Sequence, residues 1–255
     1  MIIHKFLGSS PTCGTDSDSD RLYPRVTVDK LPDDVLLEIF VCLVGPQLDY
    51  NPGARDREGG WRTLVHVCKQ WRSVVFSSPR RLDLRLYCTN RRPVKKLLKI
   101  WPPLPIVIFA FDHAGKSPRW GVSNLVTALK QHNRVWRIEI WGVPVSLSTT
   151  SVAMKPFPAL TSLYLSSKDE RLQALPDSFL GGSAPRLQEI GLIGIPFPGI
   201  GKLLLSATDL VHLALYDIPH SGYISPEAMV VGLSTLTRLE KLDLLFRSPR
   251  SRADR

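Results

Sequence analysis

What this 255-residue sequence lacks excludes several classes of protein. No run of 18 uncharged apolar residues occurs, so we expect no membrane-spanning helix and no membrane partner. The apolar stretch at the N-terminus is too short for a secretory signal. The four cysteines show no C-x-x-C spacing, and two of them lie in apolar helical stretches. This pattern predicts reduced core cysteines in a protein of the cytoplasm, the nucleus or both.

Catalytic patterns are also missing. The six histidines show no H-x-x-x-H or other metal-ligand spacing, and no G-x-S-x-G sequence occurs. Gly199-Ile200-Gly201-Lys202 lacks both the glycine spacing and the Ser or Thr of a phosphate-binding loop. We therefore predict no catalytic residue, no metal and no cofactor.

The first of two short apolar stretches predicts a helix near the N-terminal end. Pro32 suits the first helical position, and Asp33 and Asp34 favour the positive end of the helix dipole. Gly45-Pro46 ends the stretch. Apolar residues recur at helical spacing and predict one buried stripe, formed by Val35, Leu36, Ile39, Phe40 and Leu43.

The second stretch predicts another helix, which ends at Ser77-Ser78-Pro79. Its apolar positions are Trp61, Leu64, Val65, Cys68, Trp71 and Val75. Such stripes are most often ordinary core within a domain. Two helices with this little apolar surface cannot form a core alone, so we expect them to dock onto another surface.

The order of residues in these two stretches resembles the F-box. The matching segments are Leu31-Pro32, Leu36-Leu37-Glu38-Ile39-Phe40 and Val67-Cys68-Lys69-Gln70-Trp71, with Pro79 just beyond. The resemblance covers residues 29 to about 82. The segment from Gly45 to Gly60, rich in Gly, Pro, Asp and Arg, replaces the tighter connection usual in the family.

The resemblance implies a docking element for the Skp-type linker subunit of a cullin-based ubiquitin ligase. Leu36, Ile39 and Phe40 would share the linker contact and the local core, and Trp71 would be the buried anchor. An aromatic anchor with aliphatic neighbours is the usual composition of an interface hot spot. The residues so assigned to the linker are Leu31, Pro32, Leu36, Ile39, Phe40, Val67 and Trp71.

Downstream, the pattern L-x-x-L-x-L occurs five times at intervals of 23 to 29 residues. The units begin at Val135, Leu160, Leu187, Leu210 and Leu239. This pattern resembles leucine-rich repeats, in which each unit adds a short strand and stacking builds a solenoid. The whole chain thus resembles an F-box protein with irregular leucine-rich repeats.

The predicted fold class is α/β. A short F-box-like helical module over residues 29–82 precedes an irregular leucine-rich-repeat solenoid over residues 83–246, with a parallel sheet on its concave face. A disordered tail, 1–28, and a basic tail, 247–255, flank them.

Two further strands are predicted between the helices and the repeats, at Leu82-x-Leu84-x-Leu86 and over 104–109. They would begin the solenoid and cover its open end. At the other end, Leu242-x-Leu244-x-Phe246 has no polar capping unit after it, which predicts an open edge strand. Either the chain belongs to a longer protein or a partner covers that edge.

The outward positions of the repeat strands predict a face for a target protein. Trp141, Tyr164 and Tyr216 form an aromatic trail among charged residues, which is typical of protein-binding surfaces. In the alternative, Trp141 packs into a neighbouring loop. The full predicted set is Arg137, Glu139, Trp141, Tyr164, Glu189, His212, Tyr216, Lys241 and Asp243.

Positive charge is concentrated in residues 55–100, where thirteen Lys or Arg face three Asp or Glu. This block is a solvated surface, a surface for an acidic protein or a nucleic-acid site. No nucleic-acid motif accompanies it, so we do not expect nucleic acid as the partner.

We predict a non-catalytic substrate-recognition adaptor of a cullin-type ubiquitin ligase. The alternative is a leucine-rich-repeat scaffold that is not linked to ubiquitination and associates with nucleic acid through residues 55–100.

Overall fold

The computed structural model describes residues 30–44, 60–89, 93–111, 121–142, 154–168, 174–176, 178–196 and 202–247. The predicted disordered tail, 1–28, lies outside these residues. So do the predicted basic tail apart from Arg247 and the segment 45–59 between the two matching stretches.

Three helices form the N-terminal part of the described chain: α1 (Asp33–Val44), α2 (Trp61–Leu64) and α3 (Lys69–Ser77). Helix α1 begins one residue after the predicted start, and the Pro32 carbonyl accepts a hydrogen bond from the Leu36 N–H at 3.0 Å. The prediction of one continuous second helix is wrong. Cys68 is extended (φ −153°, ψ 177°), and its Sγ accepts from the Trp71 N–H at 3.5 Å, so a new helix starts there.

A seven-stranded sheet forms the rest of the fold. All neighbouring strands are parallel, and their order in the sheet is their order in the sequence. The predicted α/β class with a parallel sheet is confirmed, and each of the five predicted units supplies one strand. The strands are β1 (Leu86–Thr89), β2 (Ile106–Phe111), β3 (Val135–Trp141), β4 (Ser162–Ser166), β5 (Glu189–Ile193), β6 (His212–Ile218) and β7 (Lys241–Phe246).

Short return segments connect the strands. Ser225 caps the last helix, because its hydroxyl accepts from the Ala228 N–H at 3.2 Å. The helices of these segments are α4 (Val94–Ile100), α5 (Gly121–Leu129), α6 (Lys202–Ser206) and α7 (Pro226–Leu233). Single 3₁₀ turns occur at His132–Arg134 and His220–Gly222, and an irregular turn with left-handed Leu180 and Gly181 occurs at Phe179–Gly182.

The first strand starts later than predicted. Leu82 and Leu84 are buried, but Asp83 between them has a left-handed backbone (φ 47°), which no strand accommodates. The Leu84 N–H donates to the Pro79 carbonyl at 2.8 Å, so this segment is a turn that closes onto the end of α3. The alternation of leucines therefore reflects turn geometry, and pairing begins at Leu86.

A single apolar core extends from α1 through every strand to the segment before β7. Trp61 is fully buried, and its ring meets those of Trp101 at 5.0 Å and Phe76 at 6.0 Å between centroids. The N-terminal helices thus dock onto the chain's own sheet region across the predicted boundary at 82/83. No helix in the described part of the chain is long and apolar enough to cross a membrane.

Candidate functional site

The inner side of α1 packs within the chain. Leu36 and Phe40 are fully buried, and the centroid of the Phe40 ring lies 4.7 Å from that of the half-buried Trp71 ring. Of the residues assigned to the linker, Leu36 and Phe40 therefore serve the local core in this conformation. Trp71 anchors α3 to α1 and keeps part of its surface open.

Within the part of the chain that the structure describes, the outer side of α1 is apolar and uncovered. Val35, Ile39 and Leu43, spaced four residues apart, are 40%, 39% and 64% exposed. We call these three residues the outer α1 face. The prediction of a single buried stripe on α1 is wrong, because the helix is apolar over a wide arc and the described residues cover only one side of it.

Three other residues assigned to the linker lie near the ends of these helices. Pro32 is exposed and Leu31 is half-buried, directly before α1. Val67 is exposed in the turn before α3. Val35 and Leu43 were not among the predicted linker contacts, although their spacing from Ile39 already placed all three on one side of the helix.

Polar contacts fix the orientation of α1. The Gln70 side-chain amide on α3 donates to Asp33 Oδ1 at 3.0 Å and to the Leu31 carbonyl at 3.4 Å. Arg81, which follows α3, forms an ion pair with Glu38 of α1. The outer α1 face is therefore held on a helix that is tied at its start and at its middle.

The described cysteines differ from the prediction. Cys42, next to Leu43, and Cys68 are both exposed, because Cys42 points away from the core side of α1 and Cys68 lies at the start of α3. The expectation of core cysteines in the apolar stretches is wrong for both. Cys88 on β1 is buried, and burial raises the pKa of its thiol to about 12. Cys13 lies outside the described residues.

The basic block 55–100 is partly engaged within the chain. The Arg62 guanidinium lies 5.7 Å from the ring centroids of both Trp61 and Trp101, and Arg85 covers the Trp136 ring at 3.6 Å. Three lysines remain at least partly exposed on α4, namely Lys95, Lys96 and Lys99.

The sheet aligns the predicted target-binding residues on one face. In the ladder, Arg137, Ser162, Glu189, His212 and Lys241 are successive partners and form one row across β3 to β7. The next row consists of Glu139, Tyr164, Gly191, Ala214 and Asp243, and Trp141, Ser166, Ile193 and Tyr216 form a third. The register thus brings all nine predicted side chains to the same side of the sheet, but Arg137 and Glu139 are buried there, so a target could contact them only in part.

One charged cluster lies at the β3–β4 end of this face. Arg137 Nη2 lies 3.4 Å from Glu139 Oε2, and the Trp141 indole N–H donates to Glu139 Oε1 at 2.9 Å. The Arg137 guanidinium also lies 5.8 Å from the Tyr164 ring centroid. Burial, together with the nearby Glu189 carboxylate, raises the pKa of Tyr164. Trp141 is half-buried and its ring lies 6.3 Å from that of Phe111.

A second cluster lies at the β6–β7 end. The Asp243 carboxylate contacts His212 Nε2 at 3.1 Å and Lys241 Nζ at 3.3 Å. These hydrogen bonds hold the pKa of Asp243 below its usual range, and the bond with His212 has the largest effect. Desolvation and the hydrogen bond to Asp243 raise the pKa of the Tyr216 phenol. Between the clusters, Ser162 Oγ donates to Glu189 Oε2 at 3.0 Å.

Small residues separate the two clusters, a feature that the predicted set of residues did not include. Gly191 carries the Tyr164 ring directly over its Cα, and Ala214 follows in the same row. The Tyr164 ring thus covers Gly191, and Ala214 adds only a methyl group between the two charged clusters. Within the described residues, no group of three or more His, Cys, Asp or Glu side chains could hold a metal ion.

Comparison with known proteins gives no match: no family model, no curated protein and no solved structure is significantly similar to this chain.

Proposed function

We propose that this chain is a substrate-recognition adaptor of a cullin-type ubiquitin ligase. Helices α1 to α3, as an F-box, bind a Skp-type linker subunit and through it a cullin. The sheet, as the face of an irregular leucine-rich-repeat solenoid, binds a target protein. The single observation that carries the proposal is the uncovered outer α1 face within a segment whose residues resemble the F-box.

The outer α1 face has the properties that a docking surface requires. Complete burial of a large aliphatic side chain contributes roughly 1.5–3 kcal/mol. Because Val35, Ile39 and Leu43 are already partly covered, each retains about 1 kcal/mol of such burial for a partner. The buried Leu36 and Phe40 contribute by positioning the helix. We therefore assign the direct linker contact to the outer α1 face instead.

The sheet face supports the second half of the proposal. Its charged side chains are paired with one another before any target arrives, which fixes their orientation and lowers the entropy lost on binding. A protein that holds a linker on one side and a target on the other raises the effective concentration of the target near the ligase. In this role the chain needs no catalytic residue of its own.

The alternative is a repeat scaffold that binds nucleic acid through residues 55–100. Lys95, Lys96 and Lys99 on α4 favour it, whereas the contacts of Arg62, Arg81 and Arg85 within the chain weaken it. Nucleic-acid binding that weakens steeply with salt, and weakens again when the three lysines are replaced by Gln, would support this alternative.

Capture of a purified Skp-type linker subunit by the full chain tests the proposal. Ile39→Glu and Leu43→Glu should each reduce capture by tenfold or more, because a carboxylate would have to be desolvated in the contact. Val230→Glu on α7 is the matched control, since Val230 is also exposed and apolar but lies far along the chain. Absence of capture by the unmodified chain, or equal loss in all three variants, would reject the proposal.

A further inference from the structure

Strand β7 is the last strand of the described sheet, and within the described residues its apolar side chains are exposed. Leu242 and Leu244 are 40% and 38% exposed, whereas their ladder partners on β6, Leu213 and Leu215, are 0% and 1% exposed. Side chains at positions that belong to the core in β6 are thus partly exposed to solvent in β7. Leu245 adds a further 58% exposed side chain to the same strand.

The outer backbone groups of β7 face no other described strand. The Lys241 N–H donates to the Val211 carbonyl at 3.0 Å, so the backbone groups of Lys241 point toward β6. Since successive residues of a strand point their backbone groups to opposite sides, those of Leu242 and Leu244 point away from the sheet. Among the strands that the structure describes, β7 pairs with β6 alone. An open edge of this kind is a template for another strand.

We propose that β7 pairs with β7 of a second copy of this chain, in antiparallel orientation about a twofold axis. The two seven-stranded sheets then join into one continuous sheet. A twofold contact uses the same surface on both copies, so it closes and leaves no β7 edge for further growth. The charges on β7 itself favour this partner.

A register that places one residue opposite its own copy keeps like faces together, and four such registers centre on an interior residue of β7, namely Leu242, Asp243, Leu244 or Leu245. In the first, Lys241 lies opposite Asp243 of the second copy, and the reverse pair repeats across the axis. Both pairs occupy non-hydrogen-bonded positions, where cross-strand side chains approach most closely. The two Leu242 residues then exchange backbone hydrogen bonds at the centre.

The registers centred on Asp243 and on Leu244 bring like charges together. With Asp243 opposite its own copy, two carboxylates meet at the closest approach. With Leu244 at the centre, Lys241 lies opposite Arg247 of the second copy, so two cations meet. With Leu245 at the centre, Asp243 lies opposite Arg247 of the second copy, but Arg247 already donates to both carboxylate oxygens of Asp217. The register centred on Leu242 therefore offers attractive pairs that leave this contact intact. In that register Lys241, which is 62% exposed, can reach across to the second copy's carboxylate.

Charge-exchange variants of the full chain test this pairing by sedimentation velocity over a concentration series. The unmodified chain should show a monomer–dimer equilibrium. Lys241→Glu and Asp243→Lys, each alone, should weaken dimerisation by about tenfold or more, because both cross-strand pairs become repulsive. An equimolar mixture of the two variants should form a heterodimer, since each pair is then attractive again. Thermal melting of each variant separates loss of pairing from loss of folding.

Each outcome decides the question. Recovery of dimer in the mixture supports the pairing even where Asp243→Lys loses some stability through its lost contact with His212. A chain that stays monomeric up to its solubility limit would overturn the proposal. So would a dimer that is insensitive to both single substitutions, or a mixture that remains monomeric.

Discussion

The Tyr164 ring lies over Gly191 on the neighbouring strand, so close that a Cβ at position 191 would overlap the ring. The two residues are ladder partners in the middle row of the sheet face. Gly191 is therefore required by its neighbour and not by its own backbone conformation, and the ring orientation depends on it.

This relationship predicts a conditional cost. Gly191→Ala should displace the Tyr164 ring and destabilise the chain by about 1–3 kcal/mol, the usual range for overpacking. In a Tyr164→Ala background the same substitution should cost little, because the overlapping ring is gone. Chemical denaturation of the four variants measures the coupling. A cost for Gly191→Ala that is equal in both backgrounds would contradict the contact.

Trp61 provides a test of the shared core. Trp61→Ala should lower the free energy of unfolding by about 3–5 kcal/mol, the range for removing a fully buried large aromatic side chain. Trp61→Phe is the matched control and should cost less, because most of the apolar volume remains. Calorimetry should show a single transition that shifts as a whole, since the helices and the sheet form one core. Two transitions, with only one displaced, would instead favour separate modules.

A pH-dependent contribution to stability is expected at the ends of β6 and β7. Arg247 donates to both carboxylate oxygens of Asp217 at 2.6 and 2.8 Å, which holds the pKa of Asp217 below its usual value of about 4. A lowered carboxyl pKa stabilises the fold above that usual value, and the contribution disappears as the pH falls through the folded pKa.

Asp217→Asn isolates this contribution. Asn also tolerates the left-handed backbone at this position (φ 55°), so the substitution removes charge without new strain. The melting temperature of the unmodified chain should exceed that of the variant at pH 7, and the difference should shrink as the pH falls below about 4. Asp209→Asn, which removes a single contact with Arg238, should change the melting temperature less. A difference for Asp217→Asn that is independent of pH would contradict the ion pair.

The cysteines should differ sharply in reactivity. With its pKa raised to about 12 by burial, Cys88 carries almost no thiolate at neutral pH and should resist alkylation in the folded chain. Cys42, exposed beside Leu43, should react readily. Mass spectrometry of peptides after timed alkylation measures both rates. Rapid labelling of Cys88 in the native chain would contradict its burial.

The repeat strands could be predicted because each L-x-x-L-x-L unit carries its register in its own residues. The spacing from Ile138 to Ile140, and its counterparts in later units, places the alternate residues on one face through the two-residue period of a strand alone. The sheet face follows directly from that alternation. Long-range pairing was thus predictable because every strand repeats the same local pattern.

Other features depended on contacts that no local pattern expresses. Helix α1 is apolar over a wide arc, and contacts with the rest of the chain, such as the packing of Phe40 against Trp71, determine which side is covered. The break before α3 depends on a Cys68 side chain that caps a helix, a residue outside the usual set of capping residues. The left-handed Asp83 turned an apparent strand into a turn. A tertiary contact decided the first case, whereas an unusual local contact decided the other two.

Titration of a purified Skp-type linker subunit into the full chain by calorimetry tests the proposed adaptor role most directly. We predict saturable binding with a negative heat-capacity change, the sign expected when the apolar outer α1 face is buried. Ile39→Glu should abolish the heat signal, and Val230→Glu should preserve it. No binding by the unmodified chain, or unchanged binding by Ile39→Glu, would contradict this account.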